Sequence, residues 1–155
     1  MTKIAPLYLE DLHVGQRFTS GTHQLDAAQI KAFAAQFDPQ TFHLDEEAAK
    51  TSFFGGLAAS GWHTAAISMR LFVEAMPIAG GNVGAGGEIT WPLPTRPGDV
   101  LHVECEVLEI KPSQSRPTRG MVTMRNQTFN PQGEIVQLMV AKMVVHRRPQ
   151  SPAAG

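Results

Sequence analysis

Leu57-Ala58-Ala59-Ser60-Gly61-Trp62-His63-Thr64-Ala65-Ala66-Ile67-Ser68-Met69-Arg70-Leu71-Phe72-Val73-Glu74-Ala75-Met76, stopped by Pro77, is the stretch that decides the fold. Its only charges are Arg70 and Glu74, both near the end. The spacing predicts a helix from Leu57 or Gly61 to Met76, because proline cannot continue one. A helix that is apolar nearly all round is enclosed by other structure. Gly61, His63 and Thr64 interrupt it, and a membrane span needs ~20 strongly apolar residues, so it reads as a buried helix.

The enclosing structure is expected downstream. In residues 100–110, Leu101, Val103, Cys105 and Val107 alternate with His102, Glu104 and Glu106, the period of a half-buried strand. Residues 120–129 and 134–146 read as two more strands. Asn130-Pro131-Gln132-Gly133 between them fits a type I turn. The glycine-rich residues 82–91 lead into a further strand, and residues 17–24 suggest another. Upstream, Asp26 and Gln29 form a capping-box pattern before Ile30, Phe33, Ala34 and Phe37, predicting a helix over 27–36. Residues 37–43 read as irregular, since Pro39 pushes Asp38 out of the helical region. Asp45 can cap a short helix over 46–50. Helices early and an antiparallel meander late give an α+β class, with a curved sheet wrapped around one buried helix.

The 155 residues suit one domain, expected to cover 1–148, with 149–155 as a disordered tail. There is no internal repeat. Charged residues are only 17% of the chain, against about 25% in ordinary soluble proteins. Surface must therefore be neutral, buried in an oligomer or covered by ligand. Thirteen Lys and Arg nearly balance fourteen Asp and Glu. That balance argues against nucleic acid and anionic membranes as partners. A single cysteine, Cys105, excludes an intramolecular disulfide and any CxxC site, and reads as an inert core thiol. The six histidines show no metal-ligand spacing, so no metal is expected. The first residues do not read as a signal peptide, and a cytoplasmic protein is expected.

Two features carry chemistry. Asp38 and His43 lie five residues apart around a proline-containing turn. An acid and an imidazole so placed can share a water, one taking its proton while the other donates. The plainer alternative is an Asp-Pro turn and a buried, satisfied histidine. The second feature is Gly61 at the start of the buried helix. Glycine lets a ligand approach the backbone, and the free N–H groups there can hold an oxyanion. The plainer alternative is tight packing of helix on sheet. Trp62 and Phe42 suit either an apolar ligand pocket or the core. Arg70, Arg96 and Lys111 suit either phosphate contacts or solvated surface.

Phe37-Asp38-Pro39-Gln40-Thr41-Phe42-His43-Leu44-Asp45 and Phe53-Phe54-Gly55-Gly56-Leu57-Ala58-Ala59-Ser60-Gly61-Trp62-His63-Thr64-Ala65 resemble the MaoC-like dehydratases, the hydratase-2 type (R)-specific enoyl-CoA hydratases. Trp91-Pro92-Leu93-Pro94-Thr95-Arg96-Pro97-Gly98-Asp99-Val100 resembles the family's link between two strands. The resemblance covers residues 7–145 and implies a hot-dog fold. It implies that Asp38 and His43 activate water for syn addition to a trans-2-enoyl-CoA, and that the Gly61 N–H holds the enolate oxygen. Ser60, Trp62, His63 and Phe42 become candidate substrate contacts. No metal, nicotinamide or flavin is implied. By the same resemblance the chain works as a homodimer paired edge to edge, with the acyl-CoA groove at the boundary.

The chain departs from the family at several positions. Ser60 stands where the family usually has histidine, and Gln40 and Thr41 stand where Asn and Pro are common. Ala66 replaces a serine, with Ser68 two residues on. A hot-dog thioesterase is the first alternative, although it would place a carboxylate on the central helix, where only Glu74 stands, near its end. A non-catalytic acyl-CoA-binding protein is the second.

Overall fold

The computed structural model describes residues 5–150; the tail expected at 149–155 lies outside them from residue 151 on. The alternation in the second half does form strands. Five antiparallel strands, β1 (Arg17–Gln24), β2 (Val83–Thr90), β3 (Val100–Pro112), β4 (Arg119–Phe129) and β5 (Ile135–His146), make one sheet in the order β1-β3-β4-β5-β2. Leu101, Val103, Cys105 and Val107 of β3 are all buried. They meet Val122 and Met124 of β4 and Val136, Met143 and Val145 of β5 in one core. Each such side chain contributes about 1.5–3 kcal/mol on burial. Burial also pushes the Cys105 thiol up to about 12, with Glu104 adding to it, so it stays protonated.

The helices are α1 (Ala27–Phe37), α2 (Thr41–Leu44), α3 (Glu46–Ala49) and α4 (Gly61–Ala75). The Asp26 carboxylate accepts the Gln29 N–H at 2.8 Å, which starts α1. The capping box is only half formed, because the Gln29 side chain turns to His23 and the Gln24 carbonyl instead. Residues 37–43, expected to be irregular, contain the single turn α2. Its start is fixed by the Asp38-Pro39 corner, which brings the Gln40 N–H onto the Asp38 carbonyl.

Helix α4 lies across the sheet and buries Ile67, Leu71 and Phe72. Two hydroxyl pairs fix its height. Thr64 donates to Thr95 at 3.0 Å, and Ser68 meets Thr128 at 2.6 Å while donating to the Thr64 carbonyl. Hydroxyls buried this deeply cost about 1–3 kcal/mol each when one partner is removed. The expectation that α4 is enclosed on every side is corrected here. Trp62, Ala66, Met69 and Val73 form an exposed stripe, with Trp62 61% exposed. The sheet of a single chain covers only one side of the helix.

Strand β2 is an edge and is exposed along nearly all its length. One of its glycines has a steric cause: a Cβ at Gly87 would lie 2.5 Å from the Val140 carbonyl oxygen, so only glycine permits this pairing with β5.

Candidate active site

The segment before α4 is clamped from both sides. The Ala58 N–H donates to the Phe42 carbonyl, and the Ala59 N–H donates to the Thr95 carbonyl. Arg96 completes the clamp. Its guanidinium donates to the carbonyls of Phe54, Gly56 and Leu57, the latter two at 3.0 and 3.2 Å. Thus Arg96 is a strut under the helix start, where the sequence offered a phosphate contact or a surface charge.

This clamp brings the motif residues together. The His43 ring is buried, and its Nδ1 lies 2.6 Å from the Ala58 carbonyl oxygen. A carbonyl only accepts, so Nδ1 carries the hydrogen. In neutral His43 the other nitrogen, Nε2, is therefore a bare acceptor. It lies 3.3 Å from Asp38 Oδ2. The second Asp38 oxygen accepts from the Gln40 amide at 2.5 Å. Burial opposes ionisation of Asp38, but hydrogen bonds from Ser60 and Gln40, with help from His43, hold its carboxyl below the usual value. Two acceptors facing each other can hold one water, which donates a hydrogen to each.

Ser60 is fully buried and caps α4, accepting the Trp62 N–H at 3.3 Å. Gly61 follows as the first helical residue. Its N–H has no backbone or side-chain acceptor among the described residues. A Cβ at Gly61 would sit 2.7 Å from the Trp91 indole, so glycine is required by the close approach of that ring. Gly61, His43, Gln40 and Phe42 share one cleft of about 580 Å³ with Trp91 and Arg96. Phe42 also packs edge-on to His43, with ring centroids 4.5 Å apart.

Two other candidates lie elsewhere. Trp62 lines a separate, mostly apolar cavity of about 330 Å³ with Met69, Phe72 and Met139. His63 does not line the cleft. It is buried and stacks on Phe33 of α1, with ring centroids 4.6 Å apart and planes 3° from parallel. Its Nδ1 has no partner among the described residues, and burial, then the charge of His23, lowers its pKa. A substrate contact does not fit that position. A larger hollow of about 720 Å³ lies between Tyr8 and His146, but Arg148 is occupied there by Asp11 and the Tyr8 ring. Sequence reading missed Trp91 as a wall of the cleft, although its position in the inter-strand link pointed there.

Comparison with known proteins agrees with this geometry. Residues 12–128 match the family described as MaoC like domain. The Bacillus subtilis protein YdeM, described as uncharacterized, is 35% identical over 125 residues, covering 79% of this chain and 86% of that one. The crystal structure of the MaoC-like dehydratase from Rhodospirillum rubrum superposes with a TM-score of 0.91 at 63% identity, over 93% of this chain and 99% of that one. The R-hydratase PhaJ1 from Pseudomonas aeruginosa, in unliganded form, gives a TM-score of 0.75 at 25% identity, over 97% and 96%. With its five-stranded antiparallel sheet and its central helix, this chain has the hot-dog fold and belongs to the MaoC-like dehydratase family, which includes (R)-hydratases.

Proposed function

We propose that this protein is an (R)-specific enoyl-CoA hydratase/dehydratase acting reversibly on trans-2-enoyl-CoA thioesters. The observation that carries the reading is the Asp38–His43 pair, 3.3 Å apart, with His43 locked by Ala58 in one cleft with Gly61. In this reading one water lies beside the pair, within hydrogen-bond reach of both Asp38 Oδ2 and His43 Nε2. One of these groups takes a water proton as the oxygen bonds to the β-carbon. The double-bond electrons move into the thioester and make an enolate. The Gly61 N–H and the α4 dipole stabilise that oxygen. The proton is then delivered to the α-carbon on the same face, giving the (R)-3-hydroxyacyl-CoA. Dehydration runs the same steps backwards.

The thioesterase alternative loses ground, since Glu74 lies exposed at the far end of α4, paired with Arg70. Among the described residues no helix is long and apolar enough to cross a membrane. The proposal includes a cytoplasmic setting and a homodimer formed along β2, whose partner covers the open stripe of α4. An exposed apolar stripe of this kind marks an interaction surface. Crotonyl-CoA mixed with the protein should lose its conjugated enoyl absorbance and yield the (R)-3-hydroxy product. The (S) product, or release of free CoA thiol instead, would overturn the reading. Acyl-CoA binding without turnover would favour the non-catalytic alternative.

A further inference from the structure

Two helix ends meet at the candidate site. Asp38 is the C-cap of α1, and Ser60 is the N-cap of α4, directly before Gly61. Ser60 is fully buried, and its side chain has two partners. Its Oγ accepts the Trp62 N–H at 3.3 Å, and its hydroxyl forms a hydrogen bond with the Asp38 carboxylate. The direction of the second bond follows from the chemistry of the groups. An ionised carboxylate only accepts, so the serine O–H donates. A hydroxyl shut away from water has to place its hydrogen on some acceptor of the protein. Ser60 is itself anchored, since its carbonyl accepts the N–H groups of His63 and Thr64 at 2.9 and 3.1 Å.

The other restraints on Asp38 act differently. Gln40 holds Oδ1 from the same turn, two residues on, through an exposed side chain, so that bond moves with the turn. His43 lies opposite Oδ2 and is tied to Ala58, ahead of the helix. Of these three, Ser60 links the carboxylate to the first turn of α4, where the Gly61 N–H is without an acceptor among the described residues. Ser60 stands where the family usually has histidine, so the link belongs to this chain.

We infer that Ser60 is a positioning residue for the proposed reaction: its hydroxyl bridges the Asp38 carboxylate and the start of α4, and so holds the water-activating pair at a fixed spacing from the Gly61 N–H. With no exposed surface, Ser60 acts through Asp38 and not on the substrate. The inference rests on the enoyl-CoA reading for the reaction it serves, while the bridge itself is testable without substrate.

The test follows the Asp38 side-chain carboxyl carbon by NMR through a pH titration of the wild type, Ser60→Ala and Ser60→Gly. The Asp38 signal is the one missing from Asp38→Asn. A donor to the charged carboxylate favours ionisation, so losing it raises the titration midpoint. The rise should be about one pH unit in both variants, the usual worth of one hydrogen bond to a charged group. A residue that only caps the helix behaves otherwise. Glycine replaces a serine cap at little cost and alanine does not. Tm would then fall more in Ser60→Ala than in Ser60→Gly, and the Asp38 midpoint would stay in place. With crotonyl-CoA, kcat should fall about tenfold or more in both variants, with KM little changed. An unmoved midpoint, or a raised midpoint with kcat unchanged, overturns the inference. If Ser60→Ala does not fold, Ser60→Gly decides alone. A wild type that leaves crotonyl-CoA unchanged refutes the reaction instead. The midpoints alone then judge the bridge: raised in the variants they support it, and unmoved they overturn it.

Discussion

At the scale of single residues, the two histidines of the motif region have opposite fates. His43 is pinned by the Ala58 carbonyl and faces Asp38, whereas His63 is buried against Phe33 with a ring nitrogen unpaired among the described residues. The sequence offers His43 as the water-activating imidazole and His63 as a substrate contact, but spacing from Gly61 alone does not reveal that the His63 ring turns toward α1. His63 has a consequence for acid stability. Burial holds its folded-state pKa below the ordinary ~6.5 of an unfolded chain. As pH falls through that unfolded value, the unfolded chain takes up the proton first. Stability present above about pH 6.5 is therefore lost as pH falls toward the depressed folded value. His63→Phe keeps the stacking and removes the titration. Its Tm should drop less than that of the wild type between neutral pH and mildly acidic pH. Equal drops would show that His63 is not the acid-sensitive group.

At the scale of elements, the strands and long helices were legible because their periods are strong. The alternation of Leu101, Val103, Cys105 and Val107 is β3, and Asp26 does cap α1. The turn α2 was not legible, since four residues carry no period and its geometry depends on Pro39 and the contact with Ala58. Nor was the role of Arg96, whose partners lie about forty positions away in sequence. Replacing Arg96 by Met should leave three carbonyls of the 54–57 segment without that donor. The expected cost is about 1–3 kcal/mol of stability, with reduced activity as the start of α4 loosens. Thermal unfolding and crotonyl-CoA turnover measured on one preparation check both. Unchanged values would return Arg96 to the role of a surface charge.

At the scale of the whole molecule, the low charge content and the exposed stripe on α4 have a common explanation. Trp62, Met69 and Val73 are uncovered beside the open edge of β2. Hydrophobic pattern alone told that α4 needs cover, but could not tell a chain's own sheet from a partner's surface. The proposed homodimer predicts a dimer by sedimentation at micromolar concentration. Trp62→Glu should shift it toward monomer, and an unshifted dimer would place the interface elsewhere. Asp38 and His43, by contrast, stand out in the amino-acid sequence itself, because their spacing and the proline between them belong to one local turn. They carry the proposed chemistry, so the most direct measurement is the initial rate of crotonyl-CoA hydration by the wild type and by Asp38→Asn. The variant should be slower by about two orders of magnitude or more, the usual worth of a positioned acid–base group. Equal rates would contradict the assignment of Asp38 and the mechanism built on it.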